Sequence, residues 1–202
     1  MVHEIKVNMP KFSVICTDYE KWISRDEMRE GIKSLKDQTF KDFELIVVHD
    51  GPKEIPYSDE VDFGGLDVKF LSTPEHMNNW GHSSRKLGME SASGEYFINF
   101  NINNIFYYDS FEKLNDILGR IEEKVVVFQI MYPKHIGEAT PFTGIPPVHC
   151  NIDCMQLIAH RDIWKAIGWW YKFDMSSDGM LYEEICTKYP WFEFPNVLGV
   201  NR

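Results

Sequence analysis

No run of about 18 apolar residues, the length a helix needs to cross a bilayer, occurs in the sequence. The opening residues Met1-Val2-His3-Glu4-Ile5-Lys6 hold no apolar core of a secretory signal. The expectation is a cytoplasmic protein with no membrane span. Blocks of Lys and Arg are also missing, and 21 basic against 31 acidic side chains give a formal charge of −10. That argues against a nucleic-acid partner, whose binding rests on neutralising backbone phosphates. Cysteine is scarce: Cys16, Cys150, Cys154 and Cys186 show no C-x-x-C spacing. His149-Cys150 with Cys154 could be drawn as part of a zinc site, but no fourth ligand presents itself. The thiols are read as unpaired in a reducing compartment. Two nucleotide signatures are absent as well. Without G-x-G-x-x-G after the first strand, or G-x-x-x-x-G-K-[ST] anywhere, a dinucleotide Rossmann site and an NTPase phosphate loop are excluded.

What is present is an alternation of strand and helix signals over a length suited to one domain, residues 1–202. The apolar run Phe12 to Cys16 ends in Thr17-Asp18-Tyr19. A capping box at Ser24-Arg25-Asp26-Glu27 opens a helix whose Met28, Ile32 and Leu35 fall at helical spacing. Phe43 to Val48 reads as a strand stopped by His49-Asp50-Gly51-Pro52, Val68 to Leu71 as a third, and Ser83 to Ala92 as a helix. Tyr96 to Phe100 is a fourth strand running into Asn101-Ile102-Asn103-Asn104. Asp109 or Ser110 starts a helix carrying Phe111, Leu114, Leu118 and Ile121, and Val125 to Ile130 is a buried strand. Residues 131–150, with Pro133, Gly137, Pro141, Gly144, Pro146 and Pro147, form an irregular segment. Beyond it lie a strand at Met155 to Ala159, a helix at Asp162 to Ile167, a helix at Ser177 to Tyr189 and a strand at Phe192 to Leu198.

This pattern implies an α/β fold with a mostly parallel central sheet flanked by helices on both faces. Ligands of such sheets bind at the carboxyl ends of the strands. Thr17, Tyr19, Asp50, Asn101, Asn103 and Asn104 end three separate strands, and their convergence predicts a pocket there.

Particular stretches of the chain resemble the family 2 glycosyltransferases of GT-A fold. They are Phe12 to Tyr19, then Ser34-Leu35-Lys36-Asp37-Gln38-Thr39-Phe40-Lys41-Asp42-Phe43-Glu44-Leu45-Ile46-Val47-Val48-His49-Asp50-Gly51, then Arg85-Lys86-Leu87-Gly88 and Gly94-Glu95-Tyr96-Phe97-Ile98. The likeness is clear over residues 12–110 and looser afterwards. It implies a donor-binding half at 12–110 and an acceptor and catalytic half at 111–202. It also implies a nucleotide-diphosphate sugar donor, UDP-linked, and a glycan or other hydroxyl acceptor, with inversion at the sugar.

Carried over by position, Thr17 and Tyr19 resemble residues lining the nucleobase, and Asp50 the carboxylate that accepts from the base imide. Alone, Asp50 would read as a turn residue and Tyr19 as packing. Arg85 falls where the family places an Arg near the diphosphate, though a solvated helix face would also suit it; His82 and Lys86 could add charge. The family's D-x-D metal motif is matched by Asn101-Ile102-Asn103, followed by Asn104. Asparagine offers a neutral carbonyl oxygen and lacks the charge a hard divalent cation favours. Asn101, Asn103 and Asn104 are therefore assigned to the diphosphate, with Asn103 as a weakened ligand for Mn²⁺ or Mg²⁺. The family's late metal-binding His also has no match in Leu198-Gly199-Val200-Asn201-Arg202.

For the base that deprotonates the acceptor, the family's place is matched by Asp178, although a first-turn acid beside an N-cap Ser177 fits helix chemistry equally. Glu183 and Glu184 read as solvated. Asp153, Trp169 and Trp170 are assigned to the acceptor or sugar, with core packing open for the tryptophans. The rival reading is a nucleotide-sugar-binding module of the same fold that lost its metal chemistry. A nucleotidyltransferase is weaker, because Thr17-Asp18-Tyr19-Glu20-Lys21 is not a Gly-rich signature loop.

Overall fold

A computed structural model describes residues 9–19, 21–132 and 140–202. The N-terminal hexapeptide discussed above, Glu20, and Pro133 and Gly137 of the irregular segment lie outside the described residues. Four strands, β1 (Phe12–Asp18), β2 (Phe43–His49), β3 (Asp67–Ser72) and β4 (Tyr96–Asn101), pair in parallel in the order β3-β2-β1-β4. Every residue of β1 is buried, as a continuous apolar run covered on both faces requires. Alternate side chains separate into two cores, following the period of a strand. Phe12, Val14 and Cys16 pack with Met28, Ile32 and Leu35 of α1 (Arg25–Lys36) and with Phe111 and Leu114 of α3 (Ser110–Leu118). Ile15 turns the other way, toward Met89 of α2 (His82–Ser91) and Leu181, Tyr182 and Ile185 of α5 (Ser177–Lys188). The capping box read from the sequence forms as expected, with Ser24 and Glu27 bonded to each other's backbone.

The rest of the sheet is mixed. β8 (Leu157–His160) lies antiparallel between β4 and β6 (Val125–Tyr132). β9 (Phe192–Val200) runs parallel to β6 and antiparallel to the short β5 (Ile105–Phe106), while β7 (Thr140–Phe142) pairs antiparallel with β6. The strand expected from Met155 begins two residues later, because Asp153 caps a 3-10 turn over Cys154–Gln156. α4 (Arg161–Ala166) falls where the sequence placed it. No helix among the described residues is long and apolar enough to cross a membrane.

Helix α1 is pressed against the turn that follows β4. A Cβ on Gly31 would stand 1.9 Å from the Ile102 carbonyl oxygen, so only glycine permits this approach. The contact fixes the turn carrying Asn101 to Asn104. Gly31→Ala is expected to lower stability by roughly 1–3 kcal/mol, the usual cost of overpacking. The readout is a lower urea midpoint at unchanged slope. A midpoint equal to the parent's would show that the helix can move off the turn freely.

Candidate functional site

The carboxyl ends of β1, β2 and β4 open into a cleft of about 520 Å³. Thr17, Tyr19, Asp50, Arg85, Asn101, Asp153 and Asp178 all line it, together with His82. The parallel register brings Thr17 beside both Val48 and Asn101, so residues far apart in sequence become neighbours. The sequence reading missed Asp18, Trp22, His76 and Trp80, which also line the cleft. Asp18 is buried and its Oδ2 accepts the Tyr57 hydroxyl at 2.9 Å, and burial together with this carboxylate pushes the Tyr57 phenol far up.

Arg85 enters from the first turn of α2, which opens at Gly81 with a left-handed φ of 77°. Arg85 as a whole is 4% exposed. Its Nε donates to Cys154 Sγ at 3.1 Å, Nη1 to the Trp80 carbonyl at 2.8 Å, and Nη2 to Asn101 Oδ1 at 2.7 Å. Nη1 also lies 3.4 Å from His82 Nδ1, and the group sits 5.2 Å over the Trp170 ring. All these partners are neutral at pH 7. Burial and the adjacent guanidinium push His82 down to about 4, and burial pushes the Cys154 thiol up to about 12. The hydrogen bonds of this buried cation go to neutral groups, while the nearby carboxylates of Asp178 and Asp153 balance part of its charge.

The asparagines divide. Asn101 Oδ1 accepts from Arg85 and from Thr17 Oγ1, the latter at 3.1 Å. Asn103 turns to donate to the Arg202 carbonyl at 3.1 Å, and Asn104 is fully buried, accepting from Arg202 N at 3.2 Å. Neither Asn103 nor Asn104 lines the cleft. These donors do not fit a divalent cation. The Asn101 amide oxygen already receives two hydrogen bonds, one from a guanidinium that would repel the metal, and the Asn103 side chain presents an N–H to a carbonyl elsewhere.

Asp50 is also engaged. Its Oδ1 accepts from Met77 N at 2.9 Å and lies 3.2 Å from Thr73 Oγ1, while Oδ2 meets His76 Nδ1 at 2.9 Å. The His76 ring stacks on Tyr19 with centroids 4.1 Å apart and planes 8° from parallel.

A second cleft, of about 460 Å³, is lined by Tyr132, Thr140, Pro141, Phe142, Cys150, Ile152 and Ser176 and shares Asp153, Met175 and Asp178 with the first. Asp178 sits in the first turn of α5, where its Oδ1 accepts its neighbour Gly179 N at 2.9 Å. Ser177, expected as N-cap, is instead the first helical residue, and Ser176 holds the cap position without a side-chain bond. Asp153 accepts from Met155 N at 2.9 Å and Asn201 Nδ2 at 2.6 Å. Burial, reinforced by the nearby Asp178, pushes its carboxyl up to about 6.

The structure does not bring the expected tryptophans to either cleft. Trp170 is fully buried, stacked on His82 and Trp164 beneath Arg85, and Trp169 stacks on Phe97 at 5.9 Å. The aromatic faces at the first cleft are those of Tyr19, Trp22 and Trp80, with Trp22 83% and Trp80 61% exposed. Lys86 does not line the cleft. Glu183 accepts from His149 N and Glu184 pairs with Lys188.

Comparison with known proteins bears on the family and the fold. An uncharacterized glycosyltransferase of Rickettsia typhi is 28% identical over 175 residues, covering 79% of this chain and 53% of the relative. One of Rickettsia conorii is 31% identical over 99 residues, covering 48% of this chain and 16% of the relative. The chain thus spans about half the length, or less, of these curated relatives. The crystal structure of S. aureus TarS 1-349 in complex with UDP-GlcNAc superposes with a TM-score of 0.74 at 15% identity, over 95% of this chain and 58% of that one. The mannosyltransferase PcManGT from Pyrobaculum calidifontis, in complex with GDP-Man and Mn²⁺, gives 0.68 at 13% identity, over 96% and 57%. At such identities the likeness is one of fold, and the fold is GT-A. Residues 13–145 match the family model Glycosyl transferase family 2, and the chain belongs to that family.

Proposed function

We propose that this chain is one GT-A domain that transfers a sugar from a nucleotide-diphosphate donor, UDP-linked, to an acceptor hydroxyl with inversion. The observation that carries the reading is the meeting of two clefts at Asp178, one of them holding the buried cation of Arg85. Residues 12–110 supply the donor side, with Tyr19 and Asp50 at the nucleobase, Thr17 beside them, and Arg85 with Asn101 at the diphosphate. Residues 111–202 supply the acceptor side and the base.

In this arrangement the acceptor hydroxyl lies in the second cleft and gives its proton to Asp178 as its oxygen attacks the anomeric carbon. The bond from that carbon to the diphosphate oxygen breaks on the opposite face, which inverts the centre. The bonding pair departs onto the diphosphate, where Arg85, already oriented by its neutral partners, stabilises the added charge without reorganising. Asp153, on the wall common to both clefts, holds a sugar hydroxyl. Trp170 acts from behind, covering the far side of the guanidinium.

The asparagines that do not fit a cation lead to a metal-independent donor site. A non-catalytic nucleotide-sugar-binding module is the second reading, favoured by Asn103 facing away from the cleft.

Two measurements test the proposal. Titration of UDP by calorimetry should give the same Kd in Mn²⁺ as in a chelator; clearly tighter binding in Mn²⁺ would restore a metal to the site. Turnover of the donor should fall by about 10²- to 10⁴-fold in Asp178→Asn, the usual worth of a general base, with UDP affinity retained. Turnover equal to the parent's would remove Asp178 from the base role, and absence of any turnover in the parent would leave the binding-module reading standing.

A further inference from the structure

We propose that His76 is the resident occupant of the nucleobase slot, and that a uracil-like base enters by exchanging with it. The inference rests on the assignment of Tyr19 and Asp50 to the base. A base held there would lay its ring on Tyr19 and donate an in-plane imide N–H to the Asp50 carboxylate. The His76 imidazole does both. Its ring is stacked at 4.1 Å and 8° on Tyr19, and its Nδ1 stands 2.9 Å from Asp50 Oδ2. A planar heterocycle with a ring N–H directed at a carboxylate has the recognition chemistry of the base itself. The other carboxylate oxygen offers no alternative, because Met77 N and Thr73 Oγ1 already surround Oδ1. Base and imidazole therefore compete for one face and one oxygen.

The surroundings allow the exchange. His76 lies outside regular secondary structure, between β3 and α2, and its side chain is 37% exposed, so rotation about χ1 carries the ring into water. The backbone need not follow. Thr73 N donates to the His49 carbonyl at 3.0 Å and Met77 N to Asp50, fixing the loop on both sides of His76. The bound ring keeps the slot ordered when empty, and each nucleotide must displace it, which lowers the apparent affinity by the fraction of time the slot is closed. Ligands that carry a diphosphate and no base escape this competition.

Calorimetry on the full chain with UDP, uridine and pyrophosphate tests the proposal, comparing the parent with His76→Ala. Stacking of this kind is worth about 0.5–1.5 kcal/mol. Its removal from the competition should tighten UDP and uridine by roughly three- to tenfold and leave pyrophosphate unchanged. In the parent, the ring proton resonances of His76, shifted by the Tyr19 ring, should move to solvent-exposed positions on saturation with UDP. Weaker UDP binding in His76→Ala would make His76 a wall of the base site and overturn the proposal. So would unchanged affinity, an unmoved resonance, or an equal gain for pyrophosphate. Failure of UDP and uridine to bind either protein, with pyrophosphate still bound, would instead overturn the base assignment of Tyr19 and Asp50.

Discussion

The guanidinium of Arg85 donates to three separate parts of the fold: the loop before its own helix through the Trp80 carbonyl, β4 through Asn101, and the 3-10 turn through Cys154. Trp170 closes the side away from the cleft, where a desolvated cation gains from an aromatic face. Holding this charge inside is costly unless its hydrogen bonds are complete. The neutrality of its partners is the informative part. An aspartate at position 101 would orient Arg85 equally well, yet it would cancel the charge reaching the cleft. Asparagine keeps the orientation and adds no further carboxylate to Asp178 and Asp153, which already act on this charge.

Much of the frame was legible in the sequence, for identifiable reasons. The apolar runs at Phe12 to Cys16 and Phe43 to Val48 are short and punctuated by turn residues, and strands covered on both faces leave that signature. The capping box at Ser24 is a local device and formed as read. Errors arose where one residue does two jobs. Asp153 looked like a ligand contact alone, but its side chain also caps the turn that delays β8. Composition could not tell which face a tryptophan presents. Gly168 and Trp169 take φ of 87° and 64°, a reversal that puts Trp170 in the core, whereas Trp80, itself at φ 54°, is left at the cleft. His76 carried no signal, since its partners Tyr19 and Asp50 reach it only through the sheet order.

The proposed reading asks a chain with a formal charge of −10 to host a diphosphate. The conflict disappears once distance and burial are considered. Surface carboxylates more than about 8 Å from the ligand are screened at physiological ionic strength, while a buried cation is screened far less. The acidic groups that matter are therefore those in the clefts, chiefly Asp153 and Asp178. Burial, reinforced by the neighbouring Asp178, pushes the Asp153 carboxyl up to about 6. Asp178, in the first turn of α5, has the favourable end of the helix dipole beside its charge. The two carboxylates thus sit in different environments: one is buried and bonded to Met155 N and Asn201 Nδ2, the other lies at the start of α5 on the wall shared by the clefts.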